Sequence, residues 1–93
     1  MTADPDYAVA WRRLGAALVA SDVSGAIQAW ERAVTLDPLD FDTLFNLGIV
    51  LADSPEPREA LPHLKRFVAD APPDRYRSEI ARVAQLINRI ERP

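Results

Sequence analysis

The strongest limit on the fold is a recurrence. Trp11, Leu14, Gly15 and Leu18, followed by Ala26, Trp30, Ala33 and Pro38, return as Leu44, Leu47, Gly48 and Leu51, followed by Ala60, Leu64, Phe67 and Pro72. Ala26 and Ala60 are 34 residues apart, as are Pro38 and Pro72, whereas Gly15 and Gly48 are 33 apart, so the first copy is one residue shorter in its inter-helix turn. Periods of roughly 20–50 residues mark arrays of stacked supersecondary units, none of which buries its apolar face alone. A chain of 93 residues has room for two copies and a remainder.

Within each copy the apolar residues step by three and four, the period of one helical face. Asp4-Pro5 opens a first helix running to Ala20, with Tyr7, Ala10, Trp11, Leu14 and Leu18 as its apolar face. Asp22 caps a second, whose line is Ala26, Ile27, Trp30, Ala33 and Val34 up to Asp37-Pro38. Asp40 opens a third through Phe41, Leu44, Leu47, Gly48 and Leu51, and Asp53-Ser54-Pro55-Glu56-Pro57 stops it. The fourth carries Ala60, Leu61, Leu64, Phe67 and Val68; the fifth follows Pro72-Pro73-Asp74 with Tyr76, Ile80, Val83, Ala84, Ile87 and Ile90. Asp and Pro suit these helix starts because the first turn leaves backbone N–H groups without partners. No segment alternates as a strand does. The predicted fold is all-α.

Three residues strain this reading. Pro62 falls in the second turn of the fourth segment, where an unadjusted interior proline costs about 3 kcal/mol, so a bend or a late helix start is expected. Gly15 and Gly48 lie inside helices at about 1 kcal/mol each relative to Ala. Their equivalent positions call for a shared packing reason, close helix–helix approach.

The pattern W-x-x-L-G-x-x-L, then A-x-x-x-W-x-x-A, then P, resembles the tetratricopeptide repeat, a helix–turn–helix unit of about 34 residues. The likeness covers repeat 1 at about 8–40 and repeat 2 at about 41–74, with residues 75–91 as a capping helix of a single domain spanning 1–93. Leu18 and Leu51 stand in the family's Tyr slot, Leu44 in its Trp slot and Phe67 in a late Ala slot, all keeping apolar character. The resemblance implies an α-solenoid, a right-handed superhelix whose concave groove is lined by the first helix of each unit and holds a partner's peptide or helix. Carried over by position, the groove comprises Val9, Arg12, Ala16 and Val19; Asp42, Phe45, Asn46, Ile49 and Ala52; and Arg82, Gln85 and Arg89. Val9, Val19, Phe45 and Ile49 make an apolar strip rimmed by Arg12 and Asp42, the pattern of an interface; the alternative is that some of them pack on a neighbouring helix. Some members of the family clamp a C-terminal carboxylate. Arg12, Asn46 and Arg82 match three of those places, but Ala16 and Ser78 stand where two further donors belong, leaving an anion undercoordinated.

Composition narrows the function. Without cysteine, disulfides, thiolate metal sites and cysteine nucleophiles are excluded, and the cytoplasm is the expected location. His63 is the sole histidine, too little for a zinc site. No G-x-S-x-G elbow or phosphate-cradling glycine loop occurs, and the carboxylates concentrate at helix starts, where the helix dipole explains them. We therefore expect no enzyme, cofactor, metal or catalytic residue. Net charge is −3, which disfavours nucleic acid, and no apolar run reaches membrane-spanning length. The acidic opening Met-Thr-Ala-Asp-Pro-Asp does not read as a secretory signal. Ten Arg against one Lys suit a GC-rich bacterial genome.

The charge is uneven, with nine acidic and three basic residues in 1–57 and five acidic and eight basic in 58–93. Arg75, Arg82 and Arg89 form one stripe along the fifth helix, read first as a solvated face tied to Glu79. The expected function is a non-enzymatic protein-interaction module binding a protein or peptide in its groove. The alternative is a self-assembling scaffold that forms homo-oligomers through its groove or end faces.

Overall fold

The computed structural model describes residues 5–92, and among these every regular element is helical. The elements are α1 (Pro5–Leu18), α2 (Val23–Leu36), α3 (Phe41–Ala52), a 3₁₀ turn (Pro57–Ala60), α4 (Leu61–Asp70) and α5 (Pro73–Glu91). Asp4, the expected cap of α1, lies outside the described residues. The chain divides into two compact units, Met1–Thr43 and Leu44–Pro93.

In the first unit α1 packs on α2. α1 ends at Leu18, two residues before Ala20, where the Asp22 N–H bonds the Leu18 carbonyl. Asp22 then caps α2 as expected, its Oδ1 accepting from the Gly25 N–H at 3.0 Å. The buried face of α2 is Ala26, Ala29, Trp30, Ala33 and Val34; Ile27 is only half-buried, and Ala29 takes the place expected for it. The Trp30 indole lies over Gly15 so closely that a Cβ there would overlap Cδ1 and Nε1. Its Nε1 donates to the Arg12 carbonyl at 3.1 Å, bridging the two helices.

The expected core face of α1 is not the buried one. Tyr7, Trp11 and Leu14 are 63%, 38% and 43% exposed, Ala10 is exposed and Leu18 is half-buried, while Ala8 and Gly15 are buried. At about 100° per residue the bulky stripe and the Ala8–Gly15 edge are roughly a quarter-turn apart on the helix. The side without a Cβ admits the broad indole, so α2 docks there and the stripe faces outward.

Asp40 closes the first unit. Its Oδ1 accepts from the Thr43 N–H at 3.1 Å and its Oδ2 from the Thr43 hydroxyl at 2.6 Å, capping the start of α3. A chain that leaves α2 at Asp37 thus re-enters a helix after one short turn.

In the second unit α3 contributes Leu44, Leu47 and Leu51 to the core. A Cβ at Gly48 would meet Leu64 Cδ2 at 2.6 Å, so Gly48 plays the same close-packing part as Gly15. The Ser54 hydroxyl donates to the Leu51 carbonyl at 2.6 Å beyond the end of α3. Pro62 is accommodated by a late start: the 3₁₀ turn comes first, and the proline falls in the opening turn of α4, where no intrahelical N–H is needed. Leu61, Leu64 and Phe67 form the buried face of α4, with Val68 half-buried. α4 packs on α5, and the 3₁₀ turn touches both. α5 is capped by the extended backbone of Pro72, with Asp74 inside its first turn rather than ahead of it. Its backbone departs from helical angles at Tyr76 (φ −115°, ψ 28°). Tyr76 and Val83 are its buried residues, and Ile80, Ala84, Ile87 and Ile90 are half-buried.

Candidate functional site

The expected groove residues share faces on their own helices. On α3, Asp42, Phe45, Asn46 and Ile49 span about 100° of arc, opposite the side that buries Leu47 and Leu51; Asp42 and Asn46 are exposed, and Phe45, Ile49 and Ala52 half-buried. On α1, Val9, Arg12 and Ala16 occupy a third face, distinct from the Gly15 edge and from the outward stripe. Val9 and Val19 are half-buried and Arg12 and Ala16 exposed, with Val19 in the turn just past the helix. On α5, Arg82, Gln85 and Arg89 are exposed together.

In the second unit Phe45 is built into an aromatic chain. Its ring lies 5.4 Å from that of buried Phe67, tilted by 49°, and Phe67 meets Tyr76 edge-on at 5.5 Å. The Arg82 guanidinium sits over the outer side of this chain, 5.8 Å from the Phe45 centroid, in range of a cation–π attraction. Phe45 and Arg82, which the repeat resemblance assigned to a common surface, lie together. Phe45 is also partly a core residue, with one side of its ring spent on Phe67. Arg75 lies over Tyr76 at 5.2 Å, so two members of the arginine stripe rest on aromatic rings and the stripe is more than a solvated row.

In the first unit Arg12 approaches Asp40, Nη1 to Oδ2 at 3.7 Å. Sequence reasoning placed Arg12 on the rim with Asp42 and treated Asp40 only as a cap. The cap assignment was itself the available signal, since a carboxylate fixed at a helix start offers a stationary charge to nearby cations. Both arginines matched to the carboxylate clamp therefore have local engagements, Arg12 with Asp40 and Arg82 with Phe45.

Among the described residues no group of three His, Asp or Glu side chains is placed to hold a metal ion, and no buried side-chain nitrogen or oxygen lacks a hydrogen-bond partner. No described helix is long and apolar enough to cross a membrane. No protein-family model, curated protein or solved structure matches the chain.

Proposed function

We propose that this chain is a non-enzymatic interaction module, two tetratricopeptide-type hairpins and a capping helix forming a short right-handed α-solenoid that takes a partner's peptide or helix along its first-helix faces. The observation that carries the reading is the outward face of α3. Half-buried Phe45 and Ile49 offer an apolar footing there, and exposed Asp42 and Asn46 with Arg82 supply polar groups beside it. One or two apolar anchors with oriented polar neighbours are what a docked segment needs. The equivalent roles of Gly15 beneath Trp30 and Gly48 beside Leu64 support the repeat assignment, because both copies use the same backbone gap for their second helix.

Selection of peptides from a displayed library, followed by binding to Ile49→Glu and Asn46→Ala, tests the proposal. Selected ligands should lose at least tenfold in affinity to Ile49→Glu while its helical circular dichroism is unchanged. Ligands that bind both variants as they bind the parent would remove α3 from the binding surface. Small-angle scattering separately tests the solenoid.

A further inference from the structure

The outward stripe of α1 lies outside the groove and is largely outside the core, with only half-buried Leu18 also reaching the start of α2 beside Gly25. Tyr7, Trp11, Leu14 and Leu18 follow one another at steps of four, three and four, the spacing of a coiled-coil seam. The stripe is also a palindrome. In an antiparallel pair of α1 helices with the two-fold axis passing between residues 12 and 13, Tyr7 faces Leu18 of the second copy and Trp11 faces Leu14 of the second copy. Each aromatic meets a leucine, and because like flanks face one another across such an axis, Ala10 and Ala17 lie against Ala17 and Ala10 of the second copy, small against small, while the Ala8–Gly15 edge is taken by α2. Arg12 and Arg13 project about 130° to either side of the seam centre, so neither arginine opposes the second copy. A self-complementary patch of this kind is what a two-fold interface requires.

The area is sufficient for a weak dimer. Scaled by side-chain areas of about 150–250 Å², the open fractions of Tyr7, Trp11 and Leu14 provide roughly 300 Å² per copy. With Leu18 and the alanine flank the two copies together bury on the order of 1,000 Å², the lower edge of specific interfaces. α2 occupies the Gly15 edge, about a quarter-turn round α1, so the α1–α2 pairs of two copies can close a four-helix arrangement. We propose that the α1 stripe is a homodimer interface, antiparallel and apolar, that leaves the Val9–Arg12–Ala16 face open. The inference is independent of the proposed function.

Sedimentation equilibrium of the whole chain, from a few micromolar to about 1 mM, tests it. The expected result is a reversible dimer with a dissociation constant on the order of tens of micromolar, unweakened from 50 mM to 1 M salt. Trp11→Glu and Leu14→Glu should each raise that constant at least 100-fold, since a carboxylate would be buried in the seam, with helicity unchanged. Because the chain has no cysteine, register is read by disulfide trapping. Tyr7→Cys mixed with Leu18→Cys should cross-link, and Tyr7→Cys alone should not. A monomer at every concentration, a dimer dissolved by salt, a dimer that survives both Glu variants, or efficient Tyr7→Cys self-linking would each overturn the proposal.

Discussion

Gly15→Ala puts one methyl group where α1 and α2 are closest. On an open helix the change stabilises by about 1 kcal/mol through backbone entropy. Here the new Cβ would overlap the pyrrole side of the Trp30 indole, with Cε2 only 2.8 Å away. The indole is a rigid plate, nearly fully buried and tethered through Nε1 to the Arg12 carbonyl, so it cannot yield by a simple rotamer change. Overpacking costs about 1–3 kcal/mol, and displacing the plate strands its N–H for roughly 1 kcal/mol more. With the backbone-entropy gain subtracted, the net expectation is a loss of about 1–3 kcal/mol, or roughly 5–20 °C in Tm for a domain of this size. Gly48→Ala is the internal control. Its Cβ would meet Leu64 Cδ2 at 2.6 Å and Cγ at 3.3 Å, and a terminal methyl can rotate aside, so clash and entropy gain nearly cancel, within about 0.5 kcal/mol of the parent. Urea unfolding followed by far-ultraviolet circular dichroism measures both. In Trp30→Leu the further change Gly15→Ala should cost nothing or stabilise, a coupling readable from a double-mutant cycle. If Gly15→Ala matched the parent, or if Gly48→Ala were the more damaging, close approach would not be why glycine stands at these positions.

Trp30→Ala should lose about 3–5 kcal/mol in the same denaturation assay, and a loss under about 1.5 kcal/mol would mean that the indole does not hold α1 to α2. Asp40→Ala removes an N-cap and the acceptor for the hydroxyl of buried Thr43, for about 2–3 kcal/mol in all; Asp40→Asn should keep most of that, and equal losses for the two would point instead to the Arg12 ion pair. Pro62→Ala should change stability by less than about 1 kcal/mol, because the ring sits in an opening turn; a gain near 3 kcal/mol would show an interior proline clash.

The helices, their order and the glycine gaps were legible because each has a local chemical signature: Asp at Asp22 and Asp40, proline punctuation, and glycine where a second helix must come close. The buried face of α1 was not. Periodicity identifies an amphipathic stripe but not whether anything covers it, and Tyr7-Trp11-Leu14 outweighed the quieter mark of Ala8 and Gly15. The glycine was in fact the better guide, since the helix side that lacks a Cβ is the side approached. The site divides in the same way. Spacing placed Phe45, Asn46 and Ile49 on one face of α3, but it carries no information on ring-to-ring or ring-to-cation approach, so the hold of Phe67 and Arg82 on Phe45 emerged only in three dimensions. The backbone break at Tyr76 had no forewarning, because tyrosine is an ordinary helix residue and the chemistry marking the start of α5 lies upstream at Pro72-Pro73.

That break has a consequence for the integrity of the chain. α5 is kinked at Tyr76, whose ring meets Phe67 edge-on, and exposed arginines flank the kink at 75 and 77. Tryptic cleavage needs the backbone locally opened, so with the Tyr76 ring seated against Phe67 nicking between Arg75 and Ser78 is expected to act as a tripwire. Such a nick would report detachment of the last helix while the rest of the chain is still wound.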